Sequence, residues 1–353
     1  MTEASKVRDG EALDWRALES WLRANLAEAV DLKQPMEVLQ FPAGSANLTY
    51  LVHFGDVEFV VRRPPFGPVA PGAHDMGREF KVLSKLWRVF SPAPRAYALC
   101  DDETVVGAPF FVMERRKGVV VYEEIPEAMR HHDDVARRVS FALVDAMADF
   151  HAVDPVAAGL GDLGRPNGFL ARQVSGWQKR WDLAKETDLP MMDAVQARLE
   201  RHRPEPTRAS LVHNDLKLDN CQFDPVDPDH VKSIFDWDMT TIGDPLVDLG
   251  TLLGYWPDPD DVELRASRAG WAEMGLPPRH DIAARYADRV GVDTGAIAWY
   301  EAFALWKTAV VTQQIYIRYV RGQTQDERFA DRGARVPVLA ALAEGVLDQA
   351  GLR

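Results

Sequence analysis

Cysteine is nearly absent: Cys100 and Cys221 are the only two in 353 residues, too few and too far apart for a disulfide framework or a thiolate metal site. No apolar run reaches the length of a membrane span, and residues 1–30 carry charges throughout instead of the apolar stretch of an export signal. These absences lead us to expect a cytoplasmic protein. A basic excess is missing as well. With 54 acidic against 41 basic residues the net charge is −13, which disfavours a broad electrostatic footprint on nucleic acid or on an anionic membrane. There is no internal repeat, no low-complexity tract and no G-x-G-x-x-G loop. What remains is 46% apolar and 27% charged residues, enough to bury a substantial core, in a chain long enough for one large or two modest domains.

The hydrophobic period changes along the chain. Residues 13–26 place Leu18, Trp21, Leu22 and Leu26 at helical spacing. Strand-like runs follow at 36–41, 48–54 and 57–63, separated by turn-formers, as in an antiparallel meander. Pro64 and Pro65 end it, a helix is expected near 75–90, and two more strands fit 95–100 and 109–114. Beyond residues 115–118 helical periodicity takes over, as in Val135, Val139, Leu143, Ala146 and Phe150, interrupted by short strands at 210–212, 221–224 and 233–235. The expected fold class is α+β: a small antiparallel-sheet lobe over 1–118, a hinge near 114–118, and a larger helical lobe over 119–353.

The chemistry concentrates in one passage. His213, Asn214, Asp215 and, five residues after that carboxylate, Asn220 lie between two short strands, and Asp236, Trp237 and Asp238 follow the next strand. A carboxylate to orient a hydroxyl, with an amide and a second carboxylate to hold Mg²⁺, is what phosphoryl transfer from a nucleotide to an alcohol requires. The passage resembles H-x-D-x-x-x-x-N and the Asp of D-F-G in the protein-kinase-like superfamily. It is most similar to the aminoglycoside phosphotransferase and choline kinase group. With Asp-Trp-Asp and the later Gly243, Asp244 and Asp248, it looks like the bacterial phosphotransferases related to the kinase-like domain fused to some acyl-CoA dehydrogenases.

That resemblance implies a two-lobed kinase fold, ATP or GTP with Mg²⁺ as cofactors, and a small hydroxylated substrate as partner. It makes Asp215 the catalytic base, Asn220 and Asp236 the metal ligands, and Asp248 a buried support for the catalytic loop, with His213 packing that loop. In the first lobe Ser45 and Asn47 sit in a turn where relatives cover the nucleotide phosphates. Arg62 occupies the place of the usual phosphate-anchoring Lys, with Glu79 as its partner, and Met113, Glu114 and Arg116 fall at the hinge that meets the base. Arg is a departure there, since a planar fork does not reproduce the geometry of an ammonium. The competing readings are a protein kinase, suggested by Asp215, Leu216 and Lys217 but opposed by the missing A-P-E segment, an aminoglycoside or amino-alcohol kinase, and a catalytically silent nucleotide-binding protein.

Other features have plainer expectations. The aromatic stripes at Trp177 and Trp181 and at Trp299, Phe303 and Trp306 suit a core. His131, His132, Asp133 and Asp134 suit a solvated helix start with capping carboxylates. Negative charge gathers in the middle of the chain, 24 acidic to 14 basic residues over 119–250, against 14 to 12 over 251–353. The near-neutral apolar stretch 299–322, with Arg318 and Arg321 at its end, suggests an apolar wall for a hydroxyacyl acceptor with an anionic handle.

Overall fold

The structure, a computed structural model, describes residues 4–26, 32–42, 47–67, 75–206, 208–261, 265, 267–268, 270–324 and 327–353. The first lobe is built on five strands, β1 (Met36–Gln40), β2 (Leu48–Phe54), β3 (Val57–Arg63), β4 (Ala96–Cys100) and β5 (Phe110–Glu114). They pair antiparallel throughout in the order β1-β2-β3-β5-β4. Alternation sends Tyr50, Val52, Phe59 and Val61 to one face, where α1 (Trp15–Leu26) lays Leu18, Leu22 and Leu26 on them. Val60, Phe111 and Met113 point to the other face and join Val82, Leu83 and Leu86 of α2 (Met76–Leu86). Arg62 lies two residues beyond Val60 and so shares that second face. Asp75 caps α2 by accepting from the Arg78 amide at 2.9 Å. The helix stops at Leu86, short of the expected residue 90, because Pro92 and Pro94 follow closely and the chain must already turn. A one-turn helix, α3 (Glu103–Val106), precedes β5 and was not expected.

The second lobe is mostly helical: α4 (Val135–His151), α5 (Phe169–Ala184), α6 (Pro190–Arg201), α7 (Leu246–Tyr255), α8 (Arg279–Val290), α9 (Ile297–Val320) and α10 (Arg335–Gln349). Five short strands support the loops between them: β6 (Val119–Val120), β7 (Ser210–Val212), β8 (Cys221–Phe223), β9 (Val231–Ile234) and β10 (Thr241–Gly243). They form a β6-β8-β9 sheet and a β10-β7 pair. Strand β9 ends one residue before the expected span does, because Asp236 adopts φ +65° and turns the chain out of the sheet. Asp134, expected to cap α4, sits at φ +53° and makes no side-chain bond to the helix. The aromatic stripes are core: Trp177, Trp181, Trp299, Phe303 and Trp306 are all buried. The architecture is the α+β, two-lobed kinase-like fold, with the core face of the sheet continuous with the core of the helical lobe. No described helix is long and apolar enough to cross a membrane.

Candidate active site

The loop that carries Asp215 leaves β7 at Val212 and hangs from Asp248, a fully buried carboxylate on α7. Its Oδ2 accepts from the His213 amide at 2.7 Å and its Oδ1 from the Asn214 amide at 2.6 Å. The His151 ring, at the end of α4, lies 3.0 Å from the same Oδ2 and 2.7 Å from the Tyr286 hydroxyl of α8. Burial alone would push the Asp248 carboxyl up. The bonds and charges of His151 and His213 outweigh it and hold the group below the ordinary carboxylate value. His213 is buried, its Nε2 2.8 Å from the Phe235 carbonyl, so it ties the catalytic loop to the strand end that carries Asp236. Asn214 stands at φ +69°, a conformation that favours glycine. Its amide side chain donates to the Met239 carbonyl at 2.9 Å and its own carbonyl accepts from Lys307 of α9 at 2.9 Å.

Asp215 follows directly. Its carboxylate is bonded by the Lys217 ammonium and, at 2.9 Å, by the Asn220 side-chain amide, which also donates to the Asp215 carbonyl at 2.7 Å. Burial works against the Lys217 ammonium, but Asp215 and Asp219 more than offset it and lift its pKa above the usual lysine value. Since the Asn220 nitrogen is committed to Asp215, the amide oxygen is the atom left for a cation. Asp236 projects from its turn toward the first lobe, where a guanidinium nitrogen of Arg62 meets its Oδ1 at 2.5 Å. Burial would raise the Asp236 carboxyl, and the charges of Arg62, Lys217 and His213 hold it low instead. Next to it, burial and the Asp236 charge push Asp238 up to about 6.

On the sheet side, Arg62 Nε pairs with Glu79 Oε2 at 3.0 Å. Glu79 is buried on α2, where desolvation drives its carboxyl up to about 7 against the pull of Arg62. Arg62 itself is only 11% exposed, so it is not a solvated strand end.

Between the lobes lies a cavity of about 500 Å³. Asp215, Asn220 and Asp236 line it from below, Asn47 and Arg62 from the sheet, and Met113, Glu114 and Arg116 from the chain joining the lobes. The Asn47 side chain is 4% exposed and its amide has no hydrogen-bond partner. Glu79 does not line the cavity; it stands behind Arg62. Ser45 lies outside the described residues. Asp244, in the motif after Asp236, accepts from the Leu246 amide at 3.0 Å and from the Tyr300 hydroxyl at 2.7 Å, which fixes the start of α7.

Of the basic cleft residues, Lys217 and Arg268 were given no role from the sequence, though the place of Lys217 two residues after Asp215 was a signal; Arg115 stands in the hinge run with Glu114 and Arg116. Arg268 reaches the cavity from the segment between α7 and α8, with its Nε 2.5 Å from Asp219 Oδ2. The arginines at the end of α9 are elsewhere: of that helix only Ile315 lines the cavity, and Arg318 is exposed. The apolar wall expected from stretch 299–322 is therefore corrected, because its aromatic residues are consumed by the core.

Among the described residues there is no cluster of three or more His, Cys, Asp and Glu side chains able to hold a metal. The donor set at the cleft is instead the Asp236 carboxylate and the Asn220 amide oxygen, which fits Mg²⁺, an ion that takes one or two carboxylates and fills its shell with substrate oxygens.

A model of the phosphotransferase enzyme family matches residues 37–283. The mouse (Mus musculus) acyl-CoA dehydrogenase family member 10 is 29% identical over 350 residues, which is 98% of this chain and 32% of that protein. The chain thus spans about a third of the length of that curated relative. A crystal structure from Ralstonia eutropha, assigned as an aminoglycoside phosphotransferase, superposes with a TM-score of 0.77 at 29% identity, covering 96% of this chain and 99% of that one. The aminoglycoside phosphotransferase APH(4)-Ia, solved with AMP-PNP and hygromycin B, shares the fold at a TM-score of 0.59 and 15% identity, over 94% of this chain and 98% of its own.

Proposed function

Because the chain belongs to the phosphotransferase enzyme family, we propose that its cleft binds Mg-ATP and passes the terminal phosphoryl group to a hydroxyl of a small molecule. The observation that carries this reading is the convergence of Asp215, Asn220 and Asp236 on one cavity, with Arg62 facing them from the sheet. In this reading residues 1–118 form the nucleotide lobe and residues 119–353 the catalytic and acceptor lobe.

Asp215 orients the acceptor hydroxyl and receives its proton as the new P–O bond forms and the bond to the leaving nucleoside diphosphate breaks, since its carboxylate lines the cavity, where the Lys217 ammonium and the Asn220 amide hold it in place. Asn220 and Asp236 would hold Mg²⁺, which when bound neutralises charge on the nucleotide phosphates. Arg62, steadied from behind by Glu79, contacts those phosphates through its fork. Asn47 covers them from the sheet side, a role that the unpartnered Asn47 amide suits; Ser45, expected beside it, lies outside the described residues. Met113, Glu114 and Arg116 meet the purine base, of ATP or of GTP.

For the acceptor we propose a hydroxyacyl compound carrying an anionic group. Five basic side chains, Arg62, Arg115, Arg116, Lys217 and Arg268, line the cavity against four carboxylates, Glu114, Asp215, Asp219 and Asp236, in a chain whose net charge is −13. A polycationic aminoglycoside would need the carboxylates in excess. The aminoglycosides named with the structural neighbours are therefore the comparison compounds.

The test pairs two substitutions with an acceptor panel. Asp215→Asn should abolish transfer and leave Mg-ATP affinity within about two-fold, while Asp236→Asn should weaken metal-dependent nucleotide binding itself. Near-normal turnover in Asp215→Asn would overturn the assigned base. Steady-state assays with 4-hydroxyacyl-CoAs beside kanamycin should favour the acyl compounds, and a preference for kanamycin would overturn the acceptor class.

A further inference from the structure

Lys307 stands out among the charged groups for which the transfer step above has no use. It lies midway along α9, a helix otherwise dominated by apolar residues, and is 7% exposed. No carboxylate pairs with it among the described residues. Its Nζ donates to the Asn214 carbonyl at 2.9 Å and lies 5.5 Å from the centre of the Trp177 ring on α5. An ammonium that is buried with one oxygen and one ring face has lost most of its hydration for little return. An apolar side chain of similar length would pack there at lower cost, so packing alone does not account for it.

The position of its one oxygen partner gives the charge a purpose. The Asn214 carbonyl belongs to the peptide that leads into Asp215, and Asn214 is in the left-handed conformation, φ +69°, where a residue with a Cβ is not at rest. The residue is held from three sides: its amide by Asp248, its side chain by Met239 and its carbonyl by Lys307. Met239 and Asp248 lie 25 and 34 residues from Asn214 along the chain, and Lys307 lies 93 away. Lys307 brings in α9, the helix whose Ile315 faces the cleft.

Resting on the assignment of Asp215 as the base, we propose that Lys307 is a positioning residue: its ammonium fixes the Asn214–Asp215 peptide, and so the direction in which the Asp215 carboxylate faces the cleft. A charged donor holds a carbonyl about twice as strongly as a neutral amine does, so the hold weakens when Lys307 loses its proton. Burial brings its pKa down to about 8, against Asp215 and Asp248, which raise it; Lys217 and Arg180 push the same way as burial. These are the charges that face it from the catalytic loop, α7 and α5. Geometry places the residue, and the titration supplies a signature that a mere core lysine would lack.

Hydrolysis of Mg-ATP with water as acceptor tests this without knowledge of the natural acceptor. Lys307→Met should lower kcat ten-fold or more with the Mg-ATP Kd, from calorimetry, within two-fold of wild type. Lys307→Arg should restore most of the rate. Wild-type kcat should decline as pH rises past about 8, and that decline should be absent from Lys307→Arg, whose charge persists. Lys307→Met turnover within two-fold of wild type, beside an inactive Asp215→Asn, would overturn the positioning role and leave the base assignment standing. An active Asp215→Asn would overturn both. If Lys307→Met does not fold, the pH profiles decide: identical profiles for wild type and Lys307→Arg would overturn the proposal.

Discussion

On the helical side of the cleft the loop before Asp215 hangs from a carboxylate that water does not reach, whereas on the sheet side Arg62 is held by charges alone, one of them across the cleft. Asp248 gathers two backbone amides and the His151 ring, and His151 passes the contact on to Tyr286. Arg62 pairs with Glu79 behind it and with Asp236 on the opposite wall. The first arrangement has every partner inside one rigid lobe and has no reason to change during turnover. The second includes a bond to a proposed metal ligand, which must be exchanged whenever Asp236 turns to a cation. Under the proposed function, preorganisation therefore lies with the side assigned to orient the hydroxyl, and adaptability with the side assigned to the nucleotide.

Asp248→Ala breaks this contrast most severely. It strands the His213 and Asn214 amides and one nitrogen of His151 in a dry interior, at a cost of about 3–5 kcal/mol for a broken buried network. Urea unfolding should show a loss of that order, and turnover should vanish even at temperatures where the variant remains folded.

Arg62→Ala attacks the other wall. It should leave unfolding nearly unchanged, because removing the guanidinium also lets the buried Glu79 take up a proton: desolvation already drives its carboxyl up to about 7. The loss should appear in kcat/KM for Mg-ATP, by ten-fold or more, about 1.4 kcal/mol of transition-state stabilisation. Arg62→Lys sharpens the result. A rate as poor as that of Ala would show that the fork to Glu79 and phosphate is needed, whereas full activity would show that a point charge suffices.

A smaller effect separates the walls by pH. The Asp248 carboxyl is held below its ordinary value in the folded protein, so its contribution to stability is complete above the unfolded value near 3.8 and is lost as the pH falls toward the folded one. Glu79 has the opposite sign. Its folded value of about 7 lies above the unfolded 4.5, so its contribution is largest below 4.5 and fades as the pH rises to about 7. Asp248→Asn should flatten the acid limb of a stability–pH curve, and Glu79→Gln should flatten the slope between about 4.5 and 7. Curves that superpose on wild type would remove the contrast.

How far the sequence announced this site follows from the same difference. The grouping of Asp215, Asn220 and Asp236 at one cavity was legible because these residues lie within a short run, His213 to Asp236, flanked by strands whose apolar pattern is plain. The strands of the first lobe were legible for the same reason, and β2 and β3 occur at their expected bounds. Strands β6 and β10, of two and three residues, are too short to show a period. Arg268 and Lys307 were not legible at all. Lys307 meets Asn214 across 93 positions, from a helix whose apolar pattern is that of a core, and Arg268 comes from a segment with no periodic signal. Contacts of that span arise only when helices pack, and a pattern read along the chain does not contain them. The arginines that the sequence did single out, at the end of α9, face solvent because the helix outlasts the core beneath it.

The smallest expected effect concerns how α2 is docked. This helix, which carries Glu79, meets the second lobe through Arg78, Lys81 and Lys85, one turn apart on one face. Arg78 donates to the Thr240 carbonyl at 2.7 Å and to the Leu163 carbonyl at 3.2 Å, and Lys85 to the Gly159 carbonyl at 2.6 Å. Lys81 pairs with Asp162 at 2.7 Å, but the two side chains are 36% and 72% exposed. An exposed pair gains little Coulomb energy in water and gives up side-chain freedom, so such pairs often contribute nothing measurable. Asp162→Ala should therefore give a melting curve that overlays wild type at 0.15 M salt and unchanged kcat/KM for Mg-ATP. Arg78→Ala, which removes the partner of the buried Thr240 carbonyl, should lower Tm and raise the KM for Mg-ATP as Glu79 loses its fixed place behind Arg62. If Asp162→Ala were the more damaging of the two, the sheet side of the cleft would depend on its surface charges, and the adaptability assigned to it would reside in the docking of α2 and not in the bond between Arg62 and Asp236.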